Sequence, residues 1–375
     1  MFHNVTRRLR DIDWVLVAAI LVLLGIGLGA IHFATLNDAF DHKNVGKQAI
    51  SMGIGLGMMV LVTFTDYRNL SRHSLIAYCV TVVLLVLVLK MGHSVNGAVR
   101  WLKFGPVQVQ PSEIAKLVTI LVVGNFLVRV GEKIRELPVL LRSLALVGLP
   151  MLLIIKQPDL GTGLVVGAIW LGMTFLAGAK PLHLGAILVI GLAVFSLAWR
   201  LDTREVFLKK YQRDRVIALF NPQSDPRGKG YQVKQGIIAV GAGQVTGQGL
   251  GQGLQTNSKH VPENDTDFVF SVIGEESGFV GCVGLMALYG VLLWRMLVVI
   301  LESEDYLGKL IAGGVATLFG FHVLVNIAMN TAAGPVVGVP LPLVSYGGTA
   351  AITNLAAIGL LLAARLGRRK IEFNG

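Results

Sequence analysis

Long apolar stretches recur along the whole of this 375-residue chain and determine its fold class. A run of about 20 apolar residues is long enough to cross the ~30 Å hydrocarbon core of a bilayer as one α-helix. We therefore predict an all-α polytopic membrane protein with about ten transmembrane helices in a single domain, residues 1–375. The predicted spans are 14–33, 47–65, 74–90, 113–129, 139–156, 160–178, 182–200, 268–300, 308–330 and 345–364.

One long polar segment interrupts this pattern between the seventh and eighth predicted spans, at about residues 201–265. Residues 206–220 mix apolar and basic positions, which is typical of an amphipathic helix lying at a membrane interface. Residues 231–242 are predicted to form a second such helix, and the Pro and Gly residues between the two predict a turn. The segment is therefore predicted to be a long outer loop that carries interfacial amphipathic helices.

Composition and charge agree with a membrane protein. The chain is 54% hydrophobic and 15% charged, whereas soluble domains carry about 25% charged residues. The net charge of +11 raises the possibility of a nucleic-acid partner, but the basic residues of the short loops collect on one side, as the positive-inside rule predicts. We therefore expect no nucleic-acid partner and place both termini in the cytoplasm. Two cysteines inside apolar runs exclude a disulfide framework.

Ionisable residues at membrane depth are costly, and the outer ends of four predicted spans therefore carry the candidate chemistry. The first candidate region, residues 97–116, contains Arg100, Trp101, Glu113 and Lys116. The structural alternatives are an i,i+3 ion pair between Glu113 and Lys116 and an interfacial anchor formed by Arg100 and Trp101. The second candidate is Asp159, at a tight break between two spans, where capping of the next helix is the alternative.

The third candidate region is acidic and precedes the eighth span. Glu263, Asp265 and Asp267 alternate there, and Glu275 and Glu276 follow about two turns later. Helix capping is a reasonable alternative for Asp265 and Asp267, but it does not readily explain five carboxylates so close together.

The fourth candidate region, residues 330–349, is rich in proline and glycine. Irregular backbone at membrane depth is tolerated only inside protein or beside an aqueous cavity. Ser345, Tyr346 and the amides of Gly347 and Gly348 are candidate ligand-binding groups, and a purely structural loop is the alternative. We predict that the outer ends near Glu113, Asp159, Asp267 and Ser345 converge on one cavity.

Two further features are interpreted as structural. Residues 247–253, GQGLGQG, superficially match a dinucleotide-binding loop, but no strand is predicted before them and they lie on the outer side. His322 lies on an apolar helix and is predicted to form a hydrogen bond between helices rather than to bind a ligand.

These stretches together resemble one family. RWLKFGPVQVQPSEIAK, QPDLGTGL, YQRDRV with NPQSDPRGKGYQ, TDFVFSVIGEESGFVG and GVPLPLVSYGGT follow one another in the order typical of the SEDS family (shape, elongation, division and sporulation). The resemblance covers most of the chain from residue 97 onward. It is greater to the elongation branch, RodA, than to the division-specific branch, FtsW, which remains an alternative.

The resemblance implies a peptidoglycan glycosyltransferase of the bacterial cytoplasmic (inner) membrane that polymerises lipid II at the outer face. The family's catalytic aspartate lies in its TDF motif, which makes Asp267 the expected catalytic base. The family often has His two positions earlier, where this chain has Asp265. Asp265 and Asp267 are alternatively ligands for Mg²⁺ or Mn²⁺.

The remaining implications concern the substrate and the partner. Arg100, Lys116 or Arg215 is expected to stabilise the leaving phosphates, and a class B penicillin-binding protein, a transpeptidase, is the expected partner. Two rival functions remain open: a transporter (flippase) of the lipid-linked precursor and a scaffold that only recruits a partner. Intramembrane acidic groups clustered on the outer side favour the enzyme.

Overall fold

The computed structural model describes residues 12–35, 42–95, 98–104, 107–201, 228–258 and 264–367. The described chain is a bundle of long helices with one small sheet. The helices are α1 (Trp14–Ala34), α2 (His42–Phe64), α3 (Tyr67–Arg72), α4 (Ser74–Met91), α5 (Pro111–Val130), α6 (Leu137–Lys156), α7 (Leu160–Leu176), α8 (Pro181–Leu201), α9 (Lys229–Ala242), α10 (Leu254–Asn257), α11 (Val269–Glu302), α12 (Tyr306–Asn330) and α13 (Gly348–Leu366), with a 3-10 turn at Gly131–Arg135.

Eight helices of the described chain are long and apolar enough to cross a membrane. They correspond to eight of the ten predicted spans. The other two predicted spans, 160–178 and 182–200, are helical as well and correspond to α7, with 17 residues, and α8, with 21 residues. A membrane protein with many spanning helices is thus confirmed, whereas the count of ten stays a prediction.

A three-stranded antiparallel sheet lies between α4 and α5, where the sequence analysis predicted no strand. Its strands are β1 (His93–Val95), β2 (Ala98–Phe104) and β3 (Val107–Val109), in the order β1-β2-β3. His93 pairs with Trp101, and Lys103 pairs with Gln108. The sheet fixes the backbone of β2, which carries Arg100 and Trp101.

Close packing of α2 against α13 forms one side of the bundle core. A Cβ added at Gly359 would lie 2.7 Å from the carbonyl oxygen of Met59, and one added at Gly55 would lie 3.2 Å from the Cα of Ile352. Small residues at such positions let helix backbones approach closely in a membrane, where dispersion contacts and not water exclusion drive packing. This pair of helices brings the start of α13 beside α5 and the loop that follows α12.

Ionic contacts join both ends of the described chain. Asp13 caps α1 by accepting a hydrogen bond from the amide of Leu16, and its Oδ2 lies 2.6 Å from Arg295 and 2.5 Å from Arg365. Burial alone would raise the pKa of Asp13, but the hydrogen bonds from Arg295 and the Leu16 amide and the charge of Arg365 hold it below its usual value. The first and last described residues therefore lie at the same end of the bundle.

The predicted outer loop is described only in part. Residues 206–220, with Arg215, and Glu263 lie outside the described residues. The second predicted amphipathic segment, 231–242, is helical and forms most of α9, with Gly236 close to Phe268 and Ser271 of the following segment. The bundle end opposite Asp13 thus includes α9, the start of α11 and the start of α13.

Candidate active site

The Asp267 turn, residues 264–268, leads directly into α11. Asn326 and Asn330 of α12 both donate side-chain hydrogen bonds to the carbonyl oxygen of Asp267, at 3.0 and 3.1 Å. The hydroxyl of Ser345 donates to the carbonyl oxygen of Thr266 at 2.5 Å. The Asp267 side chain is partly exposed, so the structure fixes its backbone at the edge of the protein interior.

The loop that precedes α13 also contacts the Asp267 turn. The amide of Tyr346 donates to the carbonyl oxygen of Asp265 at 2.8 Å. Gln48 of α2, fully buried, holds this loop by donating to the carbonyl oxygen of Ser345 and accepting from the amide of Gly347. Ser345 and Tyr346, predicted as substrate-binding residues, thus contact the acidic turn, and the structure gives the Ser345 hydroxyl a structural task.

A buried ion pair lies in the protein interior and is connected to the Asp267 turn through α12. Lys116 lies 2.8 Å from Glu113, one helical turn earlier on α5, and both side chains are almost completely buried. Thr353 of α13 donates to the same Glu113 oxygen at 3.1 Å, and His322 of α12 lies 3.3 Å from Lys116. The i,i+3 ion pair that the sequence offered as a structural alternative is therefore present, and it links three helices.

His322 connects this ion pair to the loop between α12 and α13. Its Nδ1 lies 3.0 Å from the carbonyl oxygen of Pro340. Because a carbonyl can only accept, Nδ1 carries the proton and Nε2 accepts from Lys116. The prediction that His322 joins helices is confirmed. His322, Asn326 and Asn330 lie four residues apart on one face of α12 and form a polar stripe ~12 Å long that runs from the ion pair to the Asp267 turn.

Asp159 is buried and serves two structural tasks at once. It caps α7 by accepting from the amide of Thr162 at 3.3 Å, as the sequence alternative proposed. Its other oxygen accepts from Gln110 at 3.0 Å and from Ser112 at 3.2 Å. Gln110 and Ser112 stand at the start of α5, so Asp159 fastens the start of α7 to the start of α5.

Arg100 of β2 lies over the same carboxylate. Its Nη1 is 3.7 Å from Asp159, and its other terminal nitrogen donates to the carbonyl of Pro158. The Nε atom of Arg100 is buried and has no hydrogen-bond partner in the described chain. Trp101 is partly exposed beside it. This guanidinium is thus held at the rim of the site by one ion pair and retains hydrogen-bonding capacity.

The close packing of the glycine-rich segment 243–253 beside the site is a structural feature that the sequence analysis missed. The segment packs against α11 so tightly that an added Cβ at Gly243 would lie 1.9 Å from the carbonyl oxygen of Gly274. One added at Gly247, whose φ is +83°, would lie 2.0 Å from the carbonyl oxygen of Glu276. The signal was the glycine spacing itself, which the sequence analysis considered only as a nucleotide motif.

Glu275 fixes the end of this segment. Its carboxylate accepts hydrogen bonds from the amides of Gln255 and Thr256 and from the hydroxyl of Thr256, at 2.6 to 3.0 Å. Glu275 therefore caps α10 from a neighbouring element, and the glycine-rich segment packs against α11 around residues 274–277. At Gly278, with a φ of 66°, the backbone of α11 leaves helical geometry.

A chain of contacts joins the outer ends, whereas their predicted convergence on one cavity stays a prediction. Thr349, in the first turn of α13, accepts from the amide of Gln110 at 3.4 Å, which connects the Asp159 cluster to α13. Thr353 of α13 connects to Glu113, and α12 connects that ion pair to Asp267. No group of three or more potential metal ligands lies within the described part of the chain, which includes Asp265 and Asp267.

Comparisons with known proteins agree with this architecture. The family model described as "Cell cycle protein", which covers FtsW, RodA and SpoVE, matches residues 13–370. The chain is 37% identical over 358 residues to peptidoglycan glycosyltransferase MrdB of Escherichia coli, with 94% of each chain covered. It is 34% identical over 363 residues to stage V sporulation protein E of Bacillus subtilis, with 93% of this chain and 96% of the relative covered.

Two solved structures are also similar to this chain in fold. A chain from a peptidoglycan synthase complex, studied for the structural coordination of polymerization and crosslinking, superposes with a TM-score of 0.79 and 33% identity over 96% of this chain and 99% of that one. The rod shape determining protein RodA of Thermus thermophilus superposes with a TM-score of 0.68 and 30% identity over 96% of this chain and 98% of its own. The chain belongs to the FtsW/RodA/SpoVE family, the SEDS proteins of shape, elongation, division and sporulation.

Proposed function

We propose that this protein is a peptidoglycan glycosyltransferase that elongates glycan strands from lipid II during cell elongation, with Asp267 as its catalytic base. The relatives named above as peptidoglycan glycosyltransferase and RodA support this activity and this branch of the family. The observation that carries the catalytic role is the Asp267 turn. Its backbone is held by buried side chains of α12, while the carboxylate stands partly exposed at the rim.

The chemistry requires one proton transfer and one displacement. A sugar hydroxyl attacks the anomeric carbon of a lipid-linked donor, a new C–O bond forms, and the bond to the diphosphate breaks. Asp267 accepts the hydroxyl proton, and the diphosphate leaves with the bonding electrons. Direct displacement inverts the configuration at the donor carbon. A base fixed by its backbone meets the geometric requirement of this step, because misplacement by about 1 Å can cost about 10²-fold in rate.

Arg100 is the best-supported partner for the leaving diphosphate. It lies at the rim and presents a guanidinium that suits phosphate oxygens, and Asp159 orients it. Lys116 is buried between Glu113 and His322, so we assign Lys116 and Glu113 to support of the site. Trp101 is proposed to contact the sugar or lipid beside Arg100, and Arg215 and Glu263 remain predictions in the undescribed part of the outer loop.

A divalent cation is compatible with the acidic turn. Asp265 and Asp267 are two partly exposed carboxylates two residues apart, and carboxylate oxygen is the donor type that Mg²⁺ prefers, usually together with substrate phosphates. These two residues would hold Mg²⁺ or Mn²⁺, and the ion would neutralise the charge of the departing diphosphate. The protein groups described above would position the reactants in either case.

The proposed location and partner follow from the family. We place the protein in the bacterial cytoplasmic membrane with both termini in the cytoplasm and Asp267 at the outer face. The basic inner loops support this orientation, and the contact of Asp13 with Arg365 supports the placement of both residues on the same side. The similar chain in a peptidoglycan synthase complex supports a class B penicillin-binding protein as the cross-linking partner.

The test is polymerisation of labelled lipid II by purified protein in detergent or vesicles. We expect Asp267→Asn to lose about 10²–10⁴-fold in rate, the usual contribution of a general base. Glu304→Gln, an exposed carboxylate at the opposite end of the bundle, is the matched control and should polymerise at the wild-type rate. Equal polymer formation by Asp267→Asn and the wild type would refute the catalytic role.

The same vesicles separate the enzyme from a transporter. Labelled lipid II that crosses the bilayer without forming polymer would support the flippase alternative and contradict the enzyme. In cells, loss of rod shape upon depletion fits the elongation role, whereas filaments blocked in division would assign the protein to the FtsW branch.

A further inference from the structure

The start of α11 needs a cap that its own sequence lacks. The first four amides of a helix have no partner inside the helix, and the N-cap position is held by Phe268, which has no polar side chain. The amide of Ser271 donates to the carbonyl oxygen of Phe268 at 2.9 Å, and Asn330, at the end of α12, supplies the side-chain acceptor that Phe268 cannot offer. Its Oδ1 accepts from the amide of Ser271 at 3.2 Å and from the hydroxyl of Ser271 at 2.7 Å.

The same carboxamide also holds the residue that precedes the helix. The Nδ2 of Asn330 donates to the carbonyl oxygen of Asp267 at 3.1 Å, and Asn326 donates to the same oxygen at 3.0 Å. One planar side chain therefore ties the carbonyl of Asp267 to the amide four residues later. This contact fixes the turn on which the carboxylate of Asp267 is mounted.

The orientation of the Asn330 amide is fully determined by its neighbours. On one side both groups of Ser271 donate, and on the other side Asp267 and Asn326 present carbonyl oxygens. Only one assignment of the amide oxygen and nitrogen satisfies all of them. Asn326 is in turn anchored by a 2.8 Å bond to the carbonyl of Val339.

Burial makes this arrangement rigid. Asn330 is 1% exposed, and Ser271 and Asn326 are 0% exposed. Hydrogen bonds in such a setting do not exchange with water, and an unpaired group is expensive, so the network has one favoured arrangement. The Asn330 side chain thus has no route to solvent and acts on its surroundings only through the groups it contacts.

We propose that Asn330 is a positioning residue for catalysis, which acts by capping α11 from the neighbouring helix and thereby holds Asp267 in its reactive position. This inference rests on the proposed function. Asn330 acts on the placement of the base, so its loss should reduce turnover and leave lipid II binding nearly unchanged.

The primary variant is Asn330→Asp. It has the same shape and keeps an acceptor for Ser271, but it replaces the donor nitrogen by an oxygen that faces the carbonyl of Asp267. At a pH where the new carboxyl is ionised, we expect kcat for lipid II polymerisation to fall about 10–100-fold and KM to change less than about 2-fold. The thermal midpoint in detergent should fall as well, because a buried carboxylate that faces a carbonyl oxygen is costly. The ratio of variant to wild-type kcat should rise at lower pH, because a protonated carboxyl regains a donor.

A second, milder variant tests the same contact in case Asn330→Asp folds poorly. Ser271→Ala removes one of the two donors to Asn330 and retains the amide itself, so we expect a smaller fall in kcat, about 3–10-fold. Thr331→Ala is the matched control at the same helix end, because its hydroxyl is exposed and bonds only to backbone carbonyls of α12. Rates are normalised to the monodisperse fraction from size-exclusion chromatography.

The outcomes separate this inference from the proposed function. Wild-type kcat per folded molecule in both Asn330→Asp and Ser271→Ala would overturn the positioning role, as would a change confined to KM or to thermal stability. If Asp267→Asn is inactive but the Asn330 and Ser271 variants are fully active, only the inference fails. If Asp267→Asn is active, the proposed function itself fails.

Discussion

The two ends of the helix bundle hold their key aspartates in opposite ways. At one end Asp13 is held through its carboxylate, which accepts from a backbone amide and pairs with Arg295 and Arg365. At the other end Asp267 is held through its backbone carbonyl by Asn326 and Asn330. A carboxylate whose own oxygens hold the fold together is structural. An aspartate whose backbone carbonyl is fixed by its neighbours carries its side chain from a fixed point, which the proposed role of Asp267 as a base requires.

The buried ion pair of α5 resembles the Asp13 contacts, because its carboxylate is held through its own oxygens. Glu113 is held through its carboxylate by Lys116 and Thr353. Asp159 is held in the same way by Gln110, Ser112 and the amide of Thr162. The carboxylates of Glu113 and Asp159 therefore support the site, and the proposed role of Asp267 as the base assigns the reaction to a different residue.

The largest effect on stability is expected for Lys116→Met. Removing one partner of a buried ion pair leaves the other charge uncompensated, which costs about 3–5 kcal/mol. Thermal unfolding in detergent would measure this loss, with the exposed Lys133→Met as control within about 0.5 kcal/mol of the wild type. The double variant Glu113→Gln with Lys116→Met should recover part of the loss. A Lys116→Met protein as stable as the wild type would show that the ion pair with Glu113 does not stabilise the fold.

A slightly smaller effect is expected for Gly247→Ala, which tests the support around α11. The positive φ costs a non-glycine residue about 1–2 kcal/mol, and the contact of the new Cβ with the carbonyl of Glu276 adds about 1–3 kcal/mol of overpacking. Hydrogen exchange over residues 243–258 should become faster. Gly241→Ala, in α9 with open space around its position, should stabilise slightly, and equal exchange in both variants would contradict the described packing.

Asp13→Asn tests the opposite end and should cost about 1–3 kcal/mol of stability. Burial opposes ionisation of Asp13, but the hydrogen bonds and charges of Arg295 and Arg365 lower its folded pKa below the unfolded value. The stabilisation is therefore present above the unfolded pKa and is lost as pH falls through the folded pKa. Thermal midpoints measured from neutral to acidic pH should converge for wild type and variant. A gap that widens toward acid would contradict this account.

The smallest effect is expected for Tyr67→Phe, at the same end as Asp13. The buried Tyr67 hydroxyl donates to Asp305 at 2.8 Å, and burial together with Asp305 raises the Tyr67 pKa. The variant loses about 1 kcal/mol, because Asp305 keeps Arg68 and the amide of Gly308. Polymerisation rate should stay at the wild-type value, and a large rate loss would show that the two ends are not independent.

Much of the fold followed from the sequence because apolar length is a strong signal. Eight of the predicted spans appear as long apolar helices, with starts displaced by up to five residues, as His42 instead of residue 47 shows. The strands around Arg100 were missed because β1 and β3 contain three residues each, too few for a periodic pattern. The continuous helix from Val269 was predicted, but the break at Gly278 was not.

The candidate site was predictable by residue type and, for contacts, mainly where the partners are close in the chain, as for Glu113 with Lys116. Asp267, Asp159 and Glu113 are charged residues in unusual places, so they stand out in the sequence. Asn330 does not stand out, because a neutral amide near the end of an apolar run has no special pattern. Its role depends on Ser271 and Asp267, residues about 60 positions away, and such long-range pairing is set by packing.

The most direct test of the central contrast measures polymerisation rate and thermal midpoint for Asp267→Asn and Asp13→Asn side by side. We expect Asp267→Asn to lose about 10²–10⁴-fold in rate with an unchanged midpoint, and Asp13→Asn to lose stability with an unchanged rate per folded molecule. An active Asp267→Asn protein, or rate and stability lost together in both variants, would contradict this expectation.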